Sequence, residues 1–480
     1  MYLLKSFSLK LSSAFFALCL ALPGHGAPAD ARTSTPKAAP KSAAKAVSKA
    51  RPKTAAKTIP QAAPAQRTPA KPSKATSARP VVAVAASAAG VAGAAAALAD
   101  KKPANAKANA RSEDAEGRLL AVYRLIGQAR NRQALALAEE LVRDHPNFQL
   151  AQLVYGDLLN SQVRPVRTLG DVHPDAARTG AETLANLREE SHLRLKALRE
   201  RPPPATLPSQ FMALAPSSRH AIAIDISRSR LYLFENSATG LRLAADFYVS
   251  IGKLGAEKTI EGDKRTPLGI YFITSNLDPK SLKNFYGSGA LPINYPNPLD
   301  QSRGKTGSGI WLHGTPPEQF SRAPRASDGC VVLANPDLER LVRTVQVRTT
   351  PVVIAQSLKW QPPQTVANSS QVFAATLAGW QKAKSSGNLE SMLNFYAPDF
   401  RSQDKTLAQW TPVLRQEIDR AQGRPIALKD VSYLHWTDSA DTMVVTFGEV
   451  VEGMRTGMVK RQYWMRQGVQ WKIFFEGVIG

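Results

Sequence analysis

The chain has 480 residues, 43% of them hydrophobic, and a formal net charge of +24. This length allows two to four domains, and the apolar content excludes a chain that lacks packed cores throughout. The charge is uneven: residues 27–112 hold 16 Lys or Arg against only Asp30 and Asp100, so the remainder is unremarkable and a basic charge across the whole chain is excluded.

Residues 1–27 read as a secretory signal peptide: Lys5 and Lys10, an apolar stretch from Leu11 to Leu22, then Pro23 and small residues. Cys19 is not a lipoprotein anchor, because Leu18 stands where a small residue is needed. Residues 28–112 alternate Ala, Lys and Pro and have little to bury, so a disordered, basic N-terminal linker is expected. The apolar run 81–99 is mostly Ala, which contributes little to insertion, and is expected not to span a bilayer. In an exported protein the linker meets no nucleic acid; its reachable polyanions are the anionic polymers of the envelope, through peripheral electrostatic contact.

From residue 113 the pattern turns helical. Leu119, Leu120, Tyr123 and Ile126 share a face, and 130–162 reads as helix, Pro146-Asn147 turn, helix. One further helix over 178–200 completes a small all-α domain, 113–205, resembling a single tetratricopeptide-type pair and suited to docking a partner in the envelope. A mostly-β domain follows over 215–357, with alternating strands from His220. Residues 357–370 are a polar linker. The last domain, 371–480, has three helices (Phe373, Leu377 and Trp380 on one face; 388–400; 406–421), then strands at 428–436, 442–452, 457–467 and 470–478. Helices followed by an antiparallel meander predict an α+β fold. Tyr433, Trp436 and Trp464 line a pocket or, as the favoured reading, pack in the core.

With Cys19 in the signal segment, Cys330 is the single cysteine of the mature chain and has no intramolecular disulfide partner. It is inert packing or a nucleophile. The thiolate is the attacking species and requires a base. The Ile310-Trp311-Leu312 strand ends at His313, and the Gly314 carbonyl is placed to hold the imidazole tautomer. Gly329 permits close approach of a substrate carbonyl and leaves the Gly329 and Cys330 amides as oxyanion donors. His313 is expected to lower the thiol pKa. His145, His173, His192, His220 and His435 are read as structural. The S-x-x-K, K-T-G and S-x-N strings (at Ser34, Lys305 and Ser386) stand in the wrong order and context for a penicillin-binding site. No spacing suggests a metal site, and no cofactor is expected.

The block His313-Gly314 through Ser327-Asp328-Gly329-Cys330 resembles the YkuD-type L,D-transpeptidase motif, with Asp328 at a usual His and Val332 at a usual Arg or Asn. Upstream, KRTPLGIYFI (264–273) and ALPINYPNPLD (290–300) are similar to further segments of that family. The three-domain order resembles that of cell-shape L,D-carboxypeptidases, whose C-terminal domain is NTF2-like. The resemblance implies an exported envelope enzyme, periplasmic or wall-facing, acting on peptidoglycan stem peptides. Cys330 would attack and His313 would be the base. Ser327 would support the turn, Arg325 would meet a stem carboxylate, and Asp328 would tune specificity. Cell-wall cross-linking and trimming both fit; the alternative is a non-catalytic wall-binding scaffold. The C-terminal domain is expected to position substrate and to be separable from the catalytic part.

Overall fold

The computed structural model describes residues 115–479; the signal segment, the basic linker with its 81–99 run, and Cys19 lie outside the described residues. Helices Ala115–Gly127, Asn131–Asp144 and Gln149–Asn160 bury one stripe each: Leu119, Val122 and Tyr123; Ala134, Ala138 and Leu141; Leu150, Val154 and Leu158. These i, i+3/i+4 spacings put each set on one helix face. Helix Ala181–Arg199 completes the domain. Its core also takes in Phe320 and Ala334 from the mostly-β domain that follows. Phe320 stacks on Phe148 with ring centroids 4.3 Å apart. Nearby, Arg194 bridges Glu116 (3.0 Å) and Glu190 (2.8 Å), while Arg230 of the mostly-β domain also reaches Glu116. The helical domain thus packs on the mostly-β domain of its own chain.

The main sheet of the mostly-β domain has five strands in the order Gly240–Tyr248, Arg230–Ser237, His220–Asp225, Pro351–Ala355, Gly269–Phe272. His220–Asp225 and Pro351–Ala355 run parallel, with Ile222 opposite Val352. Its inner strands are apolar almost without interruption because both faces are covered. Strand alternation sorts them. Ile222, Ile224, Leu231 and Leu233 enter a core with Leu291, Leu312 and Val331 of a smaller sheet. That sheet orders Val331–Val332, Trp311–His313 and Ala290–Pro292.

The opposite face, with Ala221, Ala223, Tyr232, Phe234 and Phe272, packs on Leu434, Trp436, Val444 and Tyr463 of the C-terminal domain. The two domains share this core, which counts against the expectation of a separable C-terminal module. The linker expected at 357–370 is also structured. Trp360–Gln361 pairs with Leu207–Pro208, and a helix runs Pro363–Ser385. The C-terminal meander, Ile426–Trp436, Thr442–Val451, Met458–Gln467 and Gln470–Val478, falls close to the expected strands. A fifth strand, Phe211–Ala213, joins its edge from the segment ahead of the mostly-β domain. The expected helix over 388–400 is shorter, Leu389–Leu393.

Trp436 and Trp464 are core residues, as favoured. Trp464 meets Phe373 edge-on at 5.4 Å. One cavity of this domain, about 250 Å³, is lined by Trp410, Glu417, Lys460 and Glu476. Lys384 and Lys460 are buried beside it, held by Glu417, Glu449 and Glu476. Among the described residues no helix is long and apolar enough to cross a membrane.

Candidate active site

His313 closes the strand Trp311–His313 and is 1% exposed. Leu312 points into the core, so alternation turns His313 to the opposite face. Its Nδ1 lies 2.7 Å from the Gly314 carbonyl. A carbonyl only accepts, so Nδ1 carries the proton and Nε2 is the bare, basic nitrogen. The rings of Tyr286 and Phe285 flank the imidazole at 5.1 and 5.9 Å. Burial pushes the His313 pKa down to about 4, and the charge of Arg322 acts in the same direction. The side chain is neutral in the neutral pH range.

Cys330 leads into the strand Val331–Val332, which lies parallel to Trp311–His313 with Val331 opposite Leu312 and Val332 opposite His313. Val331 faces the core, so Cys330 falls on the His313 side of this sheet. The thiol donates to the Gly309 carbonyl at 3.4 Å rather than to His313. Burial raises its pKa, opposed by a hydrogen bond to the Trp311 backbone and by the Arg322 charge. The expected low thiol pKa is therefore not found: a desolvated site penalises the thiolate more than its neighbours favour it.

Ser327 braces the turn around Gly329 and Cys330. Its Oγ donates to the Cys330 carbonyl at 2.6 Å and accepts from the Gly329 amide at 3.1 Å. That second bond occupies one of the two amides expected as oxyanion donors, leaving the Cys330 amide. Gly329 has φ +125°, and a Cβ there would lie 2.8 Å from the Arg265 carbonyl. Glycine is required by the protein's own backbone. Gly314 is enforced similarly, since a Cβ would collide with Asn335 Oδ1. Arg325 is exposed and paired with Glu189 of the helical domain at 3.3 Å. Asp328 is exposed and paired with Lys253 at 3.1 Å. Val332 is 2% exposed, which removes it from substrate contact.

Several residues of the site escaped the sequence reading. Asn335 Oδ1 accepts from the Ser288 and Thr315 amides (3.0 and 3.2 Å), and its Nδ2 donates to the Thr315 carbonyl at 2.9 Å. It braces the loop that follows His313. Thr266 Oγ1 accepts from the Gly252 amide at 2.9 Å and donates to the Gly329 carbonyl at 3.0 Å. This explains why the Thr266-Pro267 segment belongs to the site. Arg322 lies over the Phe285 ring, its Cζ 4.3 Å from the centroid.

Residues 219–354 match the family described as the L,D-transpeptidase catalytic domain, YkuD, and residues 372–477 match the Cds6 C-terminal NTF2-like domain. The chain carries both domains, behind an N-terminal helical one. Among solved structures, it is similar to Bd1075 of Bdellovibrio bacteriovorus, with 24% identity, TM-score 0.49, and coverage of 57% of this chain and 98% of that one. It is also similar to the helical cell shape determining protein Pgp2 of Campylobacter jejuni, with 23% identity, TM-score 0.43, and coverage of 54% and 91%. An L,D-transpeptidase from Mycobacterium smegmatis is more distant, at 14% identity, TM-score 0.19, and coverage of 28% and 58%. No curated protein matches the chain.

Proposed function

We propose that this chain, whose catalytic domain belongs to the peptidoglycan-acting L,D-transpeptidase family, is an exported cysteine peptidyltransferase of the cell envelope. Its substrate would be the stem peptide, cut at the bond before the terminal D-Ala. The observation that carries this reading is the tautomer lock: the Gly314 carbonyl holds Nδ1–H of His313, so Nε2 is presented as a base on the same face as Cys330.

In this reading the thiol of Cys330 leaves the Gly309 carbonyl and turns to His313 when substrate enters. Nε2 takes its proton as Sγ adds to the diaminopimelate carbonyl. The oxygen gains the negative charge, and the Cys330 amide is the donor available to it. The intermediate collapses by breaking the C–N bond. His313 returns the proton to the departing D-Ala amine, leaving a thioester. Water or the amine of a second stem then attacks the thioester, His313 accepts a proton again, and Sγ departs. Water gives a tripeptide; an amine gives a cross-link.

One observation favours the scaffold alternative: at rest the thiol is bonded away from His313 and its pKa is raised. Incubation with purified disaccharide-tetrapeptide, with and without an acceptor stem, separates the readings. Mass spectrometry is expected to find tripeptide, dimer or both; unchanged tetrapeptide under all conditions favours the scaffold.

A further inference from the structure

Between the helical and catalytic domains lies a cavity of about 500 Å³. Its catalytic wall includes Phe285, Arg322 and Ala326; its helical wall includes Gln149, Thr183 and Asn186. The catalytic wall reaches the reacting groups directly. Arg322 covers the Phe285 ring, and that ring neighbours His313.

The segment holding Arg322 is otherwise fully committed. Ser321 Oγ donates to Glu190 at 2.7 Å, the Arg322 carbonyl accepts from Tyr248 Oη at 2.9 Å, and Arg325 pairs with Glu189. Glu190, which also lines the cavity, is taken by Arg194 as well. The nearest acid in the chain segment, Asp328, is held by Lys253. Among the described residues, the Arg322 guanidinium forms no hydrogen bond and no ion pair; the Cys330 and Asp328 charges act on it only without direct contact. It is half-buried, and burial disfavours its charge. A guanidinium in such surroundings is stabilised by a planar, two-oxygen anion that its fork can grip.

We infer that Arg322, seated on Phe285, forms a subsite for a carboxylate of the stem peptide and thereby selects substrates with a free carboxyl beside the scissile bond. The inference rests on the stem-peptide reading above. The terminal carboxylate of the departing D-Ala is one residue from the carbonyl under attack, and it is the favoured source. The side-chain carboxylate of diaminopimelate shares the same chemistry. The neutral side chains of Gln149, Thr183 and Asn186 would face the peptide groups of the same ligand, so the helical domain would build the far wall of the cleft.

The test uses full-length protein and three tetrapeptides: one with both carboxyls free, one amidated at the terminal D-Ala, and one amidated on the diaminopimelate side chain. Wild type is expected to show a KM at least about tenfold higher for the terminal amide, with kcat changed much less. Arg322→Met is expected to raise KM for the free substrate by a similar factor and to leave KM for the terminal amide unaffected; Arg322→Lys is expected to restore part of the discrimination. If the side-chain amide behaves this way instead, the subsite stands and its ligand is the diaminopimelate carboxylate. If wild type treats all three substrates alike, Arg322 selects no carboxylate and the inference falls, whether or not the variants fold. If wild type turns over none of them while remaining folded, the stem-peptide reading itself has failed.

Discussion

Asn335 grips Thr315 from both sides: its Oδ1 accepts the Thr315 amide at 3.2 Å and its Nδ2 donates to the Thr315 carbonyl at 2.9 Å. Thr315 lies two positions after His313, so this clamp fixes the path of the chain just after the proposed base. Asn335→Ala leaves the amides of Ser288 and Thr315 without that acceptor. The expected cost is about 1–3 kcal/mol of stability. The expected fall in turnover of tetrapeptide is roughly 10- to 100-fold, from a displaced imidazole. Thermal melting and steady-state kinetics check both; wild-type values for each would show that the loop holds itself.

The pH behaviour follows from the two shifts at the site. His313 is lowered to about 4 and Cys330 is raised, so both disfavour the thiolate–imidazolium pair. Protonation destroys the base, and a lowered pKa moves that loss to lower pH. The acid limb of kcat/KM is therefore expected near pH 4 rather than in the ordinary imidazole range. Without substrate, iodoacetamide labelling of Cys330 is expected to keep rising beyond the ordinary thiol midpoint of about 8.5. A labelling rate already level at pH 6 would mean a resting thiolate and would contradict the neutral pair.

Lys384 is a buried, ion-paired side chain of the C-terminal domain. It is fully buried, with Nζ 2.6 Å from Glu417 and 2.8 Å from Glu449. Lys384→Met fits the volume but leaves two buried carboxylates with Lys460 as the remaining lysine beside them. The expected destabilisation is about 3–5 kcal/mol, read by urea unfolding. A change below about 1 kcal/mol would show that the charges relax at little cost.

The shared core makes a second stability prediction. Removing residues 362–480 uncovers Tyr232, Phe234 and Phe272 on the catalytic sheet, which pack on Leu434, Trp436 and Tyr463 in the intact chain. The truncated protein is expected to aggregate or to melt without a cooperative transition. A soluble fragment that melts cooperatively at the wild-type temperature would restore the separable-module view.

Much of this was legible from periodicity. The four long C-terminal strands alternate and are bounded by Gly453 and Gly468, so their limits were set within two residues. The His313–Cys330 block carried its chemistry in local order. Other features depend on partners distant in sequence. Phe211–Ala213 is three residues long and is a strand only because Ile426–Trp436 offers an edge. Helix Pro363–Ser385 opens with Gln364, Thr365, Asn368, Ser369 and Ser370, a polar surface in which Val366 alone is buried over the first two turns, so it read as linker. Arg325 resembled a free cation because Glu189 is 136 positions away. Asn335 begins a helix after the motif, and nothing local reveals that its amide turns back to Thr315.

The central claim is that Cys330 becomes acylated by the stem peptide with His313 as its base. Intact-protein mass spectrometry of full-length enzyme, quenched in acid during turnover of disaccharide-tetrapeptide, tests it most directly. Wild type is expected to gain the mass of the acyl group after loss of D-Ala, mapped by proteolysis to the peptide containing Cys330. His313→Ala is expected to gain it far more slowly, and Cys330→Ala is expected neither to gain it nor to release D-Ala. D-Ala release by folded Cys330→Ala at the wild-type rate would contradict the account.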